Sequence, residues 1–232
     1  MVIEKLNKAG IRGIFRDFVI IIFSALLLFI SAGTVYWVRG WIYIVIILTY
    51  QIFYVLILMI GNPELLNQRG TLDWHATKLH DKYFAVFYSI LSFLAVILSG
   101  LDVVRFHWSS VPLMFIYPGI CMFGCFCLFA LWAYWSNSSF VLTHREDTAD
   151  DLSICTIGPY RYVRHSGYLS AIGTWFSFPF LIGSLLSLVP IILIVILLIL
   201  RTYYEDKTLM LESIKYREYS KVTKYRLIPY FW

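Results

Sequence analysis

Two short polar stretches near the C-terminal end of an apolar chain hold the residue types that could do chemistry. The first, GPYRYVRHSGY (Gly158 to Tyr168), packs three tyrosines, two arginines and a histidine into eleven positions. The second, RTYYED (Arg201 to Asp206), sets a guanidinium and a carboxylate four residues apart, followed directly by Asp206. On a helix, Arg201 and Glu205 share one face and point into the same space. Such a pair can close a membrane helix as an ordinary ion pair. It can also line a site, with the carboxylate receiving a cation and the guanidinium holding an anion. Arg164 and His165 can likewise serve as interfacial anchors, with Tyr160, Tyr162 and Tyr168 in an aromatic belt. A belt does not account for Gly158-Pro159 and Gly167, which impose backbone turns around the charged pair.

The elements that carry these stretches must cross a bilayer. Of the 232 residues, 60% are hydrophobic and only 14% charged, a balance that excludes an ordinary soluble domain. A crossing needs about 20 apolar residues as helix. Four clear runs meet that length, Phe18 to Val38, Trp41 to Ile60, Tyr83 to Val104 and Val111 to Trp135. Two more fit between Tyr168 and Tyr204, with Pro179 and Gly183 marking a tight reversal. The first run is too long for a secretory leader's apolar core and lacks a convincing cleavage site, so it is read as a retained helix.

With six crossings and a cytoplasmic start, all of the 19 Lys and Arg except Arg39 and Arg105 fall on the cytoplasmic side. Basic residues favour that side, so the expected topology has an even number of crossings and both termini in the cytoplasm. The net charge of +5 then reflects topology and attraction to anionic headgroups, and nucleic acid is not an expected partner. The expected fold is an all-α polytopic membrane protein with a four-helix N-terminal region (1–135). The C-terminal part (136–232) holds a helical hairpin and a cytoplasmic helix that completes the site. Because the two polar stretches flank that hairpin, both return to one side of the membrane and can enclose a site.

Other chemistry-bearing residues read more plainly. Cys121, Cys125 and Cys127 fall within the fourth run and Cys155 outside it; all suit packing better than metal or disulfide roles. His75, His80, His107, His144 and His165 show no metal-ligand spacing. The polar connection from Gly61 to Lys82 is long enough to be functional, or to lie on the membrane as an amphipathic helix.

The first stretch resembles the GPYxxxRHPxY signature of the isoprenylcysteine carboxyl methyltransferase family, which is broadly related to phospholipid N-methyltransferases. RTYYED is similar to the family's R-x-x-x-E-E, and the chain closes on a tyrosine-rich segment ending KYRLIPYFW. NPELL, the Trp74 to Asp81 region, GLDVVRFHW and NSSF extend the resemblance over most of the chain. It implies an integral membrane enzyme that uses S-adenosylmethionine and opens sideways to lipid substrates. Carried over by position, Tyr160, Arg164, His165, Ser166, Tyr168, Glu205 and Asp206 would surround the cofactor, and Arg201 would face the methyl acceptor. Ser166 stands where the family has proline, and Asp206 where it has a second glutamate. Serine can cap the helical turn that proline would begin.

Methyl transfer from a sulfonium is an in-line displacement, so a site must chiefly place donor and acceptor and exclude water. In that chemistry Glu205 would receive the cofactor's ammonium or hydroxyls, and the tyrosines would cover the adenine or sulfonium. Arg201 would grip a carboxylate acceptor, such as a prenylcysteine-like lipid, by a two-pronged hydrogen bond. If the acceptor is an amine, an acidic residue must take the proton instead. A nicotinamide-dependent membrane reductase and a noncatalytic lipid-binding or transport protein are the alternative readings. Ion coupling is poorly served, since no chain of acids crosses the spans and Asp102 lies near the outer edge.

Overall fold

The computed structural model describes residues 5–71, 79–137 and 154–232, and among these every regular element is helical. Trp74, His75, Lys78, His144 and Arg145 lie outside the described residues, as does the whole of the 138–153 segment.

Five helices are long and apolar enough to cross a membrane: α1 (Lys8–Ala32), α2 (Val38–Gly61), α4 (Leu79–Gly100, continued to Arg105 by a π-helical turn), α5 (Ile116–Ser136, preceded by a 3-10 turn) and α7 (Leu188–Glu212). Three shorter helices complete the bundle: α3 (Pro63–Gly70), α6 (Ser166–Ile182) and α8 (Ile214–Val222). This is an all-helical, multi-pass architecture.

The helix limits differ from the apolar runs for local reasons. α1 starts ten residues before Phe18 because Asn7 caps it, its side chain accepting from the amides of Ala9 and Gly10. Lys8, Arg12 and Arg16 therefore ride on the membrane helix rather than in a separate tail. α3 begins in the same way, with Asn62 accepting from Leu65 N and Pro63 in the first turn. Pro179 does not end α6; the helix runs through it and stops at Gly183, whose N–H returns to Pro179 O.

The end of the bundle opposite Arg164 and Arg201 is fastened by polar groups. Asp102, fully buried in the π-helical turn, accepts through Oδ2 from Ser109 Oγ (2.6 Å), Ser184 Oγ (2.6 Å) and Leu186 N (3.1 Å). This ties α4 to the reversal between α6 and α7. Buried Arg39 donates to the carbonyls of Val111 and Pro112, and Arg105 donates to that of Ile30. The two basic residues assigned to the outer side thus both donate to backbone carbonyls, Arg39 to the segment before α5 and Arg105 to the last turn of α1.

Gly183 sits at the tightest point of this end. Its φ of 86° is left-handed, and a Cβ there would overlap the Arg39 guanidinium. Gly183→Ala should therefore lower stability by at least the roughly 1–2 kcal/mol of a left-handed non-glycine residue. Thermal unfolding in detergent should show a lowered midpoint; an unchanged midpoint would mean that the reversal can be remade without Gly183.

Candidate functional site

At the Arg164 end, α6, α7, α8 and the C-terminal segment converge on one carboxylate. Asp206 is fully buried and takes a fork from Arg164, with Nε at 2.8 Å from Oδ1 and Nη2 at 3.0 Å from Oδ2. Arg226 Nε donates to Oδ2 (2.8 Å) and the Tyr216 hydroxyl to Oδ1 (2.8 Å), while His165 Nε2 lies 3.3 Å from Oδ1. A buried carboxylate is tolerable only when so fully paired.

The same arginine staples the tail. Arg164 Nη1 donates to the carbonyls of Thr223 and Lys224, both at 2.8 Å. The amides of Arg164 and His165 donate to Tyr225 O and Arg226 O. Beyond that the chain hooks back, with Trp232 O accepting from the amides of Arg226 and Leu227. Burial alone would lower the Arg164 pKa, but the Asp206 hydrogen bonds and charge raise it instead. Burial, then the adjacent Asp206 charge, pushes the Tyr216 hydroxyl well above its ordinary value. Burial moves Tyr219 up to about 12; its hydroxyl donates to Tyr160 O at 2.7 Å.

Beside this cluster, α4 and α7 flank a cavity of about 530 Å³ whose wall includes Asp81, Phe84, Phe87, Arg201, Tyr204 and Glu205. Arg201 and Glu205 meet on one helical face as the spacing requires, Nε to Oε2 at 3.8 Å. The Tyr168 hydroxyl sits between them, accepting from Arg201 Nε (2.8 Å) and donating to Glu205 Oε2 (2.5 Å). Arg201 Nη1 donates to Asp81 Oδ1 at 2.5 Å, and the face of its guanidinium lies 4.4 Å from the centre of the Phe84 ring. His165 bridges the cluster and the cavity: its ring stacks on Tyr168, and its Nδ1 lies 4.0 Å from Glu205 Oε1.

Of the residues singled out by sequence, Arg201 and Glu205 stand at the cavity's wall, and buried Tyr168 supports both from behind through its hydroxyl. Arg164, His165 and Asp206 form the buried cluster behind it. Ser166, fully buried, opens α6 as its first residue and donates through Oγ to Val163 O rather than capping the helix; the cap position is His165. Tyr160 packs apart from the cavity, with Ala133, Tyr216 and Tyr219. Gly158 does adopt a left-handed φ of 60°, whereas Gly167 lies within α6.

Sequence reasoning missed Asp81, Tyr216 and Arg226. Asp81 carried one usable signal, the one acid of the long membrane helix Leu79–Gly100, set in its first turn between His80 and Lys82. No protein-family model matches the chain, and no curated protein matches it at a significant level.

Two outcomes follow from the Asp206 cluster. Asp206→Asn leaves two arginines around a neutral amide, so stability should fall by about 3–5 kcal/mol, and protease should cut the segment after Val222 sooner. Unchanged melting and cleavage would show that the tail is held by its bonds to Arg164 and the backbone without the Asp206 charge. The second outcome concerns alkali. A tyrosine whose folded pKa is raised holds its proton longer than the unfolded chain does, so its stabilisation is complete below pH 10.0 and lost towards pH 12. Protease sensitivity of the tail should rise across that window, and Tyr219→Phe should shift the rise to higher pH.

Proposed function

We propose that the chain is an S-adenosylmethionine-dependent methyltransferase that acts on a lipid or lipid-tailed acceptor at the cytoplasmic face of the membrane. One observation carries this reading: a partly exposed carboxylate, Glu205, held by Tyr168 beside Arg201 at the wall of a cavity between apolar helices. The motif resemblance in GPYRYVRHSGY and RTYYED supports it.

The wall residues fit that cofactor. Glu205, with its side chain 22% exposed, keeps oxygen surface for an ammonium or ribose hydroxyls. Tyr204 offers an aromatic face to a cation or an adenine. When bound, the cofactor supplies an electrophilic methyl group on a sulfonium. The protein's own task is positioning: Tyr168 and Arg201 orient Glu205, Phe84 and Phe87 keep water out, and the open side between α4 and α7 admits a lipid tail. Arg164, His165 and Asp206 act as positioning residues, through the cluster that fixes α6 on α7.

In the six-crossing form of this reading, α6 joins the five long helices as a short span of 17 residues. Both termini and the cavity then face the cytoplasm, next to anionic headgroups that the basic C-terminal segment would meet. Cysteines introduced at Lys5 and Tyr225 should label from the same side; labelling from opposite sides would overturn the topology.

Calorimetric titration with S-adenosylmethionine or its demethylated product tests the function. Glu205→Gln should weaken binding about ten- to a hundredfold, the worth of a charged hydrogen bond. Arg201→Lys keeps the charge and should leave that affinity nearly intact. No binding by the folded parent protein would remove the methyltransferase reading.

A further inference from the structure

The charges around the α4–α7 cavity are unequal. Among the described residues, two carboxylates, Asp81 and Glu205, stand at its wall with one guanidinium, that of Arg201. That guanidinium is already committed, through Nη1 to Asp81, through Nε to Tyr168, and by its face to Phe84. A carboxylate head entering here would meet two like charges and a cation already balanced. Asp81 itself is 3% exposed, and its second oxygen, Oδ2, has no hydrogen-bond partner among the described residues. A buried carboxylate oxygen left unpaired is costly, so an occupant that donates a hydrogen bond to it is favoured over one that cannot. Largely exposed His80, whose Nε2 is 3.4 Å from Asp81, reaches Oδ1 rather than Oδ2. Next to Asp81 the cavity is lined by Phe84, Phe87, Leu197 and Leu200, which suit an aliphatic tail.

We propose that this cavity takes a lipid whose head is an amine, with an N–H of the head seated on Asp81 Oδ2 and the tail between α4 and α7. An ionised fatty acid has no donor for that oxygen, and an alcohol has a donor but no charge. Asp81 is then a specificity-determining residue, and Arg201 a group that orients Asp81 rather than one that grips an acid. That the amine lipid is the methyl acceptor rests on the methyltransferase reading; its binding does not.

Tetradecylamine, tetradecanol and myristate share one tail and separate these heads. Titrated into the full-length protein in a neutral maltoside detergent, the amine should bind about tenfold or more tighter than the acid, with the alcohol between them. Asp81→Asn should erase the order, and Glu205→Gln, which removes the second like charge but leaves the Asp81 oxygen in place, should narrow it without erasing it. Myristate binding as tightly as the amine, or loss of the order on Glu205→Gln alone, would overturn the proposal. Should Asp81→Asn fail to fold, a diazirine-tailed amine on the parent protein decides the matter. It should label residues 80–87 and 197–208, and labelling confined to other helices would overturn the site.

A parallel titration with the demethylated cofactor separates the two readings. Amine and cofactor should bind together. Competition between them would assign Asp81 to the cofactor's ammonium and end the amine proposal while leaving the methyltransferase reading intact. Amine binding without cofactor binding would do the reverse.

Discussion

The Asp206 carboxylate, buried and surrounded by two arginines, a tyrosine and a histidine, is the interaction on which the C-terminal half depends. It draws on residues from before α6, from α7, from α8 and from the final segment. None of those pieces could bury its own charge alone. Arg164 would otherwise be a cation deep in the fold, and the segment after Val222 would present carbonyls with nothing to accept from. Because every member satisfies another, the network fixes how α6 lies on α7, and so where Tyr168 stands relative to Arg201 and Glu205.

That placement explains why neighbouring residues on one helix divide their work. Asp206 faces inward and is saturated, while Glu205, one position earlier, faces the cavity and retains open surface. His165 touches both sides and couples them. α4 supplies the opposite wall, and the Asp81 to Arg201 contact crosses the cavity's edge. The charged groups of the lining, Asp81, Arg201 and Glu205, meet one another, and much of the remaining lining, Phe84, Phe87, Leu197 and Leu200, is apolar.

What the sequence made legible follows the range of each interaction. Five long apolar helices were readable because hydrocarbon thickness sets helix length, while the remaining expected run folds as the shorter α6. The Arg201 and Glu205 pair was readable because helical geometry places residues four apart together. The start of α1 was hidden because its cap, Asn7, sits among basic residues that resemble a tail. Pro179 looked like a breaker, yet a helix held by neighbours loses only one hydrogen bond to an internal proline. Asp81 lies 120 residues from Arg201 in sequence, and no local pattern joins them. Arg226 was similarly hidden among the basic residues of the tail. The motif resemblance points to two stretches that the fold brings side by side, and only the packing separates the residues that face the cavity from those that fasten it.

The central claim is that the cavity between α4 and α7, with Glu205 at its wall, is where cofactor and lipid meet. An experimental structure of the protein in lipid, with the demethylated cofactor bound, tests this most directly. The account predicts cofactor density against Glu205 and Tyr168, with Asp206 still enclosed by Arg164 and Arg226. Cofactor density on Asp206 with the arginines turned away, or at a site apart from α7, would contradict it.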